Sequence, residues 1–102
     1  MKTWPQWLML HRNMATSSDL KLGLEDVLAD LSHARRQGDL GRLALLSYCD
    51  VRRWARMARK EALAQRSWRL VLDMPYATKE SFLAEVDCLI KEAELALVQM
   101  RG

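Results

Sequence analysis

Apolar residues recur at steps of three and four along most of this chain, the spacing that gathers them on one face of an α-helix. The stripes cover residues 20–34, 40–58 and 82–100, with a further one over 63–74. Only four glycines and two prolines interrupt the 102 residues, too few for the many turns of an all-β fold. The sequence therefore predicts an all-α fold, a compact antiparallel bundle of four to five helices.

Residues that favour helix ends predict the limits of the first two helices. Ser18 or Asp19 can act as the N-cap of the first helix. A basic last turn followed by Gly38 is typical of its C-terminal end, because glycine accepts the left-handed backbone conformation there. Asp39 can then cap the second helix.

The phase of the apolar stripe changes after Arg59. A straight helix over 40–74 would also be long for a domain of this size. We therefore predict a break or kink between Arg59 and Leu63, and the pattern leaves open whether 40–74 is one kinked helix or two. Pro75 ends the helix before it, and Thr78 can cap the last helix.

The chain divides into an N-terminal arm, residues 1–17, and a helical domain, residues 18–102. Pro5 would fit the first turn of a short helix over about 5–13, and a polar run separates this arm from the first long helix. Met14 is an alternative translation start, in which case the arm is not part of the protein.

Positive charge is concentrated in the middle of the chain. Residues 35–69 carry ten basic and three acidic residues, whereas the whole chain has a net charge of only +3. Clustered arginines present paired N–H donors to phosphates or carboxylates, so we take the cationic side of the second helix as the candidate binding surface. The alternative is a solvated face that is balanced by Glu25, Asp26, Asp30 or the acids of the last helix. The candidate cations are Arg52, Arg53, Arg56, Arg59 and Lys60.

The string Val51-Arg52-Arg53-Trp54-Ala55-Arg56 resembles the recognition helices of some helix-turn-helix regulators. The resemblance implies contact with DNA, but it covers only these six residues. A helix-turn-helix motif needs a separate short helix and a tight turn just before it, and here residues 43–50 continue the same apolar stripe. A net charge of +3 is also small for a nucleic-acid-binding domain.

Four tryptophans are many for a chain of this length. Trp54 and Trp68 fall on apolar stripes, and we expect both in the core. Trp4 and Trp7 lie in the arm, where we expect them to pack on the same domain or on a second copy. We include these two with the five cations as candidate partner-binding residues.

Residues that would carry out catalysis or bind a metal are not grouped in the sequence. His11 and His33 are isolated, and Cys49 and Cys88 are 39 residues apart with no C-x-x-C pair. We expect the thiols to be reduced and to serve as packing groups. No nucleophile elbow and no glycine-rich phosphate loop is present. The sequence thus predicts no catalytic, cofactor-binding or metal-binding residues, and a protein that is not an enzyme.

These observations favour a small helical protein-interaction module, of adaptor, anti-activator, chaperone or immunity type, that acts by binding another protein. A nucleic-acid-binding transcriptional regulator that uses the basic helix face is the alternative. We expect a cytoplasmic protein that does not contact membranes, because its apolar runs are far shorter than the roughly 20 residues of a membrane span. We also expect a homodimer, because five leucines lie off the main stripes and need cover: Leu45, Leu46, Leu70, Leu72 and Leu95.

Overall fold

The computed structural model describes residues 17–101, and within this range the chain forms helices and turns with no strand. The leucine-rich and alanine-rich stripes explain why, because these residues favour helices and bury one face of each. The all-α prediction is confirmed. The elements are α1 (Ser17–Gln37), α2 (Leu40–Leu45), a π-helical turn called here the π segment (Leu46–Val51), α3 (Arg52–Met57), α4 (Glu61–Leu72) and α5 (Lys79–Arg101).

α2, the π segment and α3 form one continuous helical rod. Leu46 and Arg52, which join the three parts, both have right-handed helical backbone angles. The fold is therefore a bundle of four helical rods. α1 packs against α5, α2 and the π segment, and α4 packs against α3, the π segment and α5. Within residues 17–101, every helix is too short or too polar to span a lipid bilayer.

The end of α1 follows the prediction. Gly38 has a φ of +68°, and the N–H of Asp39 donates to the carbonyl of Ala34 at 3.1 Å, which together form a Schellman motif. The Asp39 carboxylate then accepts a hydrogen bond from the Arg42 N–H at 3.1 Å and caps α2. The roles predicted for Gly38 and Asp39 are confirmed.

The predicted N-cap of α1 is wrong. The chain is already helical at Ser17, so Ser18 and Asp19 lie inside the first turn. Asp19 there still favours the helix, because a negative charge is stabilised near the positive end of the helix dipole. The candidate residues Trp4 and Trp7 lie outside the described residues.

A second Schellman motif ends α3 and makes the predicted break. Arg59 has a φ of +58°, and the Lys60 N–H donates to the Ala55 carbonyl at 2.7 Å. The chain turns at residues 58–60, at the N-terminal edge of the predicted interval, and 40–74 is thus two helical rods. The C′ residue here is an arginine, although glycine is the residue that fits this conformation without strain.

α5 begins with the predicted cap. The Thr78 hydroxyl accepts a hydrogen bond from the Ser81 N–H at 3.0 Å, and the Ser81 hydroxyl accepts one from the Thr78 N–H at 3.2 Å. This reciprocal pair satisfies two backbone donors that the helix start leaves open. Pro75 lies between α4, which ends at Leu72, and this cap.

The core lies where the four rods meet, and Trp54 is its largest fully buried side chain. The Trp54 indole N–H donates to the Leu20 carbonyl of α1 at 2.7 Å, which satisfies its one polar atom. Around it lie the predicted stripes: Leu24, Val27, Leu28, Leu31 and Ala34 of α1, Leu43, Val51 and Ala55 of the central rod, Leu63 and Leu70 of α4, and Phe82, Val86, Leu89 and Ala93 of α5.

Two buried serines join the π segment to α4. The Ser67 hydroxyl donates to the Ser47 carbonyl, at a point where the wider π turn departs from the regular helical hydrogen-bond ladder. The Ser47 hydroxyl is also fully buried and has no hydrogen-bond partner among the described residues. This contact sets how α4 lies along the central rod.

Four sequence expectations about burial are wrong. Cys88, which was expected to be a packing group, is exposed. Trp68 is 41% exposed and is not a core residue. Leu46 and Leu70 are 5% and 2% exposed, so the fold itself covers these two leucines. Leu45, Leu72 and Leu95 do remain on the surface.

Candidate functional site

A cluster of one arginine and two aromatic rings lies on the surface where the central rod meets α4. The Tyr48 and Trp68 ring centres are 5.7 Å apart, with the planes tilted by 36°. The Arg52 guanidinium carbon lies 5.0 Å from the Trp68 ring centre and 5.4 Å from that of Tyr48. Its Nη1 donates to the Tyr48 hydroxyl at 3.3 Å. The rings and this hydrogen bond hold the guanidinium in place, and they leave its other N–H groups available to a ligand.

Local helix geometry explains how the cluster forms. Tyr48 and Arg52 are four residues apart, so their side chains meet on one side of the rod. The contact between Ser67 and Ser47 places α4 beside the π segment, and the next residue of α4, Trp68, therefore reaches Tyr48. The cluster depends on both the helical repeat and the packing of α4.

Two shallow depressions flank the cluster, and Arg52 and Arg56 line both. The first encloses about 410 Å³ and the second about 300 Å³. We call the surface formed by the half-buried Tyr48 and Arg52 and the exposed Arg53, Arg56 and Trp68 the arginine–aromatic face. The first depression is lined by Tyr48, Cys49, Arg52, Arg53, Arg56 and Met57, and the second by Arg52, Arg56, Glu61, Ala64, Gln65 and Trp68.

The structure brings together three of the five cations predicted from the sequence. Arg52, Arg53 and Arg56 share one depression. Arg59 and Lys60 lie in the turn after α3 and line neither depression. Arg59 is exposed, and Lys60 is half-buried.

Sequence reasoning missed Tyr48 and Trp68 as surface residues. Trp68 is five residues after the buried Leu63, which places it about 140° away around α4 at 100° per residue. Trp68 is about 120° from the midpoint between Leu63 and Ser67, which places it outside the apolar stripe of α4. No comparable signal exists for Tyr48, because it lies on the rim of its own apolar stripe.

Three acidic side chains of α5 pair with arginines outside this face. Arg35 and Asp87 form an ion pair at 2.9 Å, and Arg66 pairs with Glu92 at 2.8 Å and with Glu85 at 3.8 Å. Within residues 17–100, none of the five predicted cations forms an ion pair. The face therefore keeps a surplus of positive charge.

Asp50 is the acidic residue of the central rod that lies nearest to the arginines of this face. Its half-buried position raises the pKa of its carboxyl above the usual range, and the nearby Arg53 only partly opposes this. Asp30 of α1 raises the same pKa further by repulsion. Asp50 is thus more costly to ionise here than in an unfolded chain.

An apolar ridge continues the face toward the other end of the rods. Leu45 is one turn before Tyr48 and is 55% exposed, and Leu72 is one turn after Trp68 and is 60% exposed. α4 runs antiparallel to the central rod, because only the short turn at residues 58–60 joins them. The two leucines thus lie at the same end of the surface, beyond the ring pair.

Metal ligands and thiols are scattered in the part of the chain that the structure describes. There, no three His, Cys, Asp or Glu side chains form a group that could hold a metal ion. Cys49 and Cys88 are both free. A third depression of about 420 Å³ has mostly apolar walls and lies between α2 and the start of α5.

The arginine–aromatic face and the leucines of the apolar ridge combine positive charge, aromatic rings and exposed apolar side chains on one surface.

No protein-family model matches the chain, and no curated protein or solved structure matches it either. Its function has to be inferred from the residues themselves.

Proposed function

We propose that this protein is a small non-catalytic interaction module that binds another protein through the arginine–aromatic face. The observation that carries the proposal is the Arg52 guanidinium, which lies against Tyr48 and Trp68 beside two arginines that form no ion pair with the residues that the structure describes. Tryptophan, tyrosine and arginine are the residues that contribute most to binding energy at protein interfaces. The exposed Leu45 and Leu72 supply apolar area next to them.

The alternative is that the same face binds nucleic acid. Two features favour protein. Leu45, Leu72 and Trp68 are large exposed apolar side chains near the arginines, and Glu61 lines the second depression, where it would repel the continuous phosphate backbone of a nucleic acid. A nucleic-acid surface is more uniformly positive and carries few such apolar residues.

Charge reversal tests the proposal directly. We expect that Arg52→Glu combined with Arg56→Glu keeps the fold at a cost of about 1–2 kcal/mol in the free energy of unfolding, from the ring contacts of the half-buried Arg52, since the exposed Arg56 contributes little. Immobilised wild-type protein should retain specific proteins from a nuclease-treated lysate of the source cells, and the double variant should retain at least about tenfold less of them. Quantitative mass spectrometry measures the difference.

A matched control separates this face from general charge. Arg36→Glu combined with Lys91→Glu changes the net charge equally, at exposed positions on α1 and α5. The control should retain the same proteins as the wild type. Equal losses in both double variants would contradict the proposal. A sequence-selective nanomolar complex with duplex DNA at physiological salt, instead of the roughly 10⁻⁴–10⁻⁶ M of non-specific contacts, would favour the regulator.

We also propose that the protein is a twofold dimer in the cytoplasm. Leu95 and Val98 of α5 are 56% and 59% exposed and one turn apart, and an apolar pair of this kind is typical of a helix that packs on its own copy. The free thiols favour a reducing compartment. Light scattering at micromolar concentration should give twice the 11.8 kDa of one chain, and the mass of a single chain would refute the dimer.

A further inference from the structure

The arginine–aromatic face and its apolar ridge form a strip with a direction. Along the central rod the exposed Leu45, the half-buried Tyr48 and Arg52, and the exposed Arg56 follow one another at steps of three and four. The strip therefore changes from apolar, through aromatic, to cationic over eleven residues, or roughly 16 Å of helix. α4 repeats the order, with Leu72 beside the apolar end, Trp68 beside Tyr48, and Gln65 and Glu61 beside the cationic end.

We propose that this strip binds an amphipathic acidic helix of a partner protein, with its leucines over the apolar end and its carboxylates at Arg52 and Arg56. This inference rests on the proposed function and adds the chemistry of the partner. The length fits, because 16 Å is three turns of helix, which is enough to present two or three anchor residues.

Charge complementarity identifies the partner as acidic. Arg52, Arg53 and Arg56 have no ion-pair partner among the described residues. A carboxylate is the group that matches the planar donor fork of arginine. Arg52 is already oriented by the two rings and by the Tyr48 hydroxyl, so a carboxylate that binds there has less side-chain freedom to remove.

The same charges argue against a second copy of this chain on the strip. A twofold axis through the middle of the strip would place the cationic end of each copy against the apolar end of the other, so the arginines would be covered without gaining a carboxylate. An acidic helix supplies carboxylates to these arginines, and among the residues that line the two depressions only Glu61 would oppose them. The depressions of about 410 and 300 Å³ on either side of Arg52 have room for the side chains of such a helix.

A designed peptide tests the inference without knowledge of the natural partner. The probe is a fluorescein-labelled helix of about 18 residues, long enough to be partly helical alone, with leucines on one stripe and glutamates beside them. A second peptide has the same composition in an order that destroys the stripe, and a third replaces each glutamate with lysine. Fluorescence anisotropy with the full chain measures all three.

We expect the first peptide to bind at least about tenfold more tightly than the other two. Trp68→Ala should weaken it by at least about tenfold, as should Arg52→Glu with Arg56→Glu. Tyr48→Phe should weaken it about fivefold, because the variant keeps the ring and loses only the hydroxyl that orients Arg52. The Arg36→Glu and Lys91→Glu control should bind as the wild type does. Circular dichroism confirms that each variant is folded.

Several results would overturn the inference: equal binding of the striped and reordered peptides, no binding, or an unchanged affinity in Trp68→Ala. If the peptide fails while lysate proteins are still lost in the Arg52 and Arg56 double variant, the partner is not an acidic helix but the proposed function stands. If the striped peptide does not bind and the double variant retains lysate proteins as the wild type does, the acidic-helix inference and the proposed function are both wrong. A stable dimer that the striped peptide dissociates would assign the strip to a second copy.

Discussion

Replacing Arg59 with glycine is expected to stabilise the protein. Arg59 holds the left-handed conformation at the end of α3, with a φ of +58°. That conformation costs an ordinary residue about 1–2 kcal/mol, whereas the extra freedom of glycine in the unfolded chain costs about 0.5–1 kcal/mol. The Arg59 side chain is exposed, so few contacts are lost. The net gain in the free energy of unfolding is about 0–1.5 kcal/mol, with a central value of about 0.7 kcal/mol.

Gly38 allows the opposite substitution to be tested, because it is the left-handed residue of the Schellman motif that ends α1, as Arg59 is for α3. A Cβ added there meets no atom within 4 Å, so Gly38→Ala introduces only the backbone cost and should destabilise by about 1 kcal/mol. Urea denaturation measures the free energy of unfolding of both variants, and the slope of that free energy against urea concentration should be the same as in the wild type. A destabilised Arg59→Gly protein, or an unaffected Gly38→Ala protein, would show that the left-handed residues are not what limits these two turns.

Three further predictions concern the interior. Ser67→Ala should lower the free energy of unfolding by about 1–2 kcal/mol, because it removes the hydroxyl that donates to the buried Ser47 carbonyl. Ser47→Ala removes a buried hydroxyl that has no hydrogen-bond partner among the described residues. It should leave the free energy of unfolding unchanged or raise it by up to about 1 kcal/mol. Trp54→Phe should cost about 2 kcal/mol, from a lost hydrogen bond and a small cavity, as measured by thermal unfolding. Asp50→Asn should raise stability at neutral pH. Because the pKa of Asp50 is raised in the folded protein, its contribution to stability is most favourable below the usual carboxyl pKa of about 4. That contribution falls as pH rises through the folded-state pKa. The variant cannot ionise, so it should flatten this part of the plot of stability against pH. A steeper acid-side profile in Asp50→Asn would contradict that reasoning.

Helix ends were predictable where a single residue determines the local geometry. Gly38 allows a left-handed backbone, Asp39 offers a carboxylate to a free N–H, and Thr78 offers a hydroxyl in the same way. Each effect operates within four residues of sequence, so reading the chain in order is enough. The Arg59 turn was placed only roughly, since arginine gives no sign that it will adopt a left-handed conformation.

The surface cluster was only partly predictable because it depends on contacts between helices. The helical repeat was enough to place Arg52 and Arg56 on one face. It could not show that Trp68 would reach Tyr48, because this depends on how α4 slides along the central rod, and the buried contact between Ser67 and Ser47 decides that. The π segment also gave no sign in the sequence, since the apolar spacing through it looks like that of an ordinary helix.

The π segment has a consequence for chain length. A turn bonded from i to i+5 holds one residue more than an α-helical turn. Removing one residue there, such as the half-buried Cys49, would convert it into an ordinary α-helical turn and leave α2 and α3 in nearly their present orientations. The same deletion within α1 would rotate every later residue of that helix by about 100° and turn its leucines away from the core. Proteins with this fold that differ by a single residue in the central rod should therefore differ between residues 46 and 51.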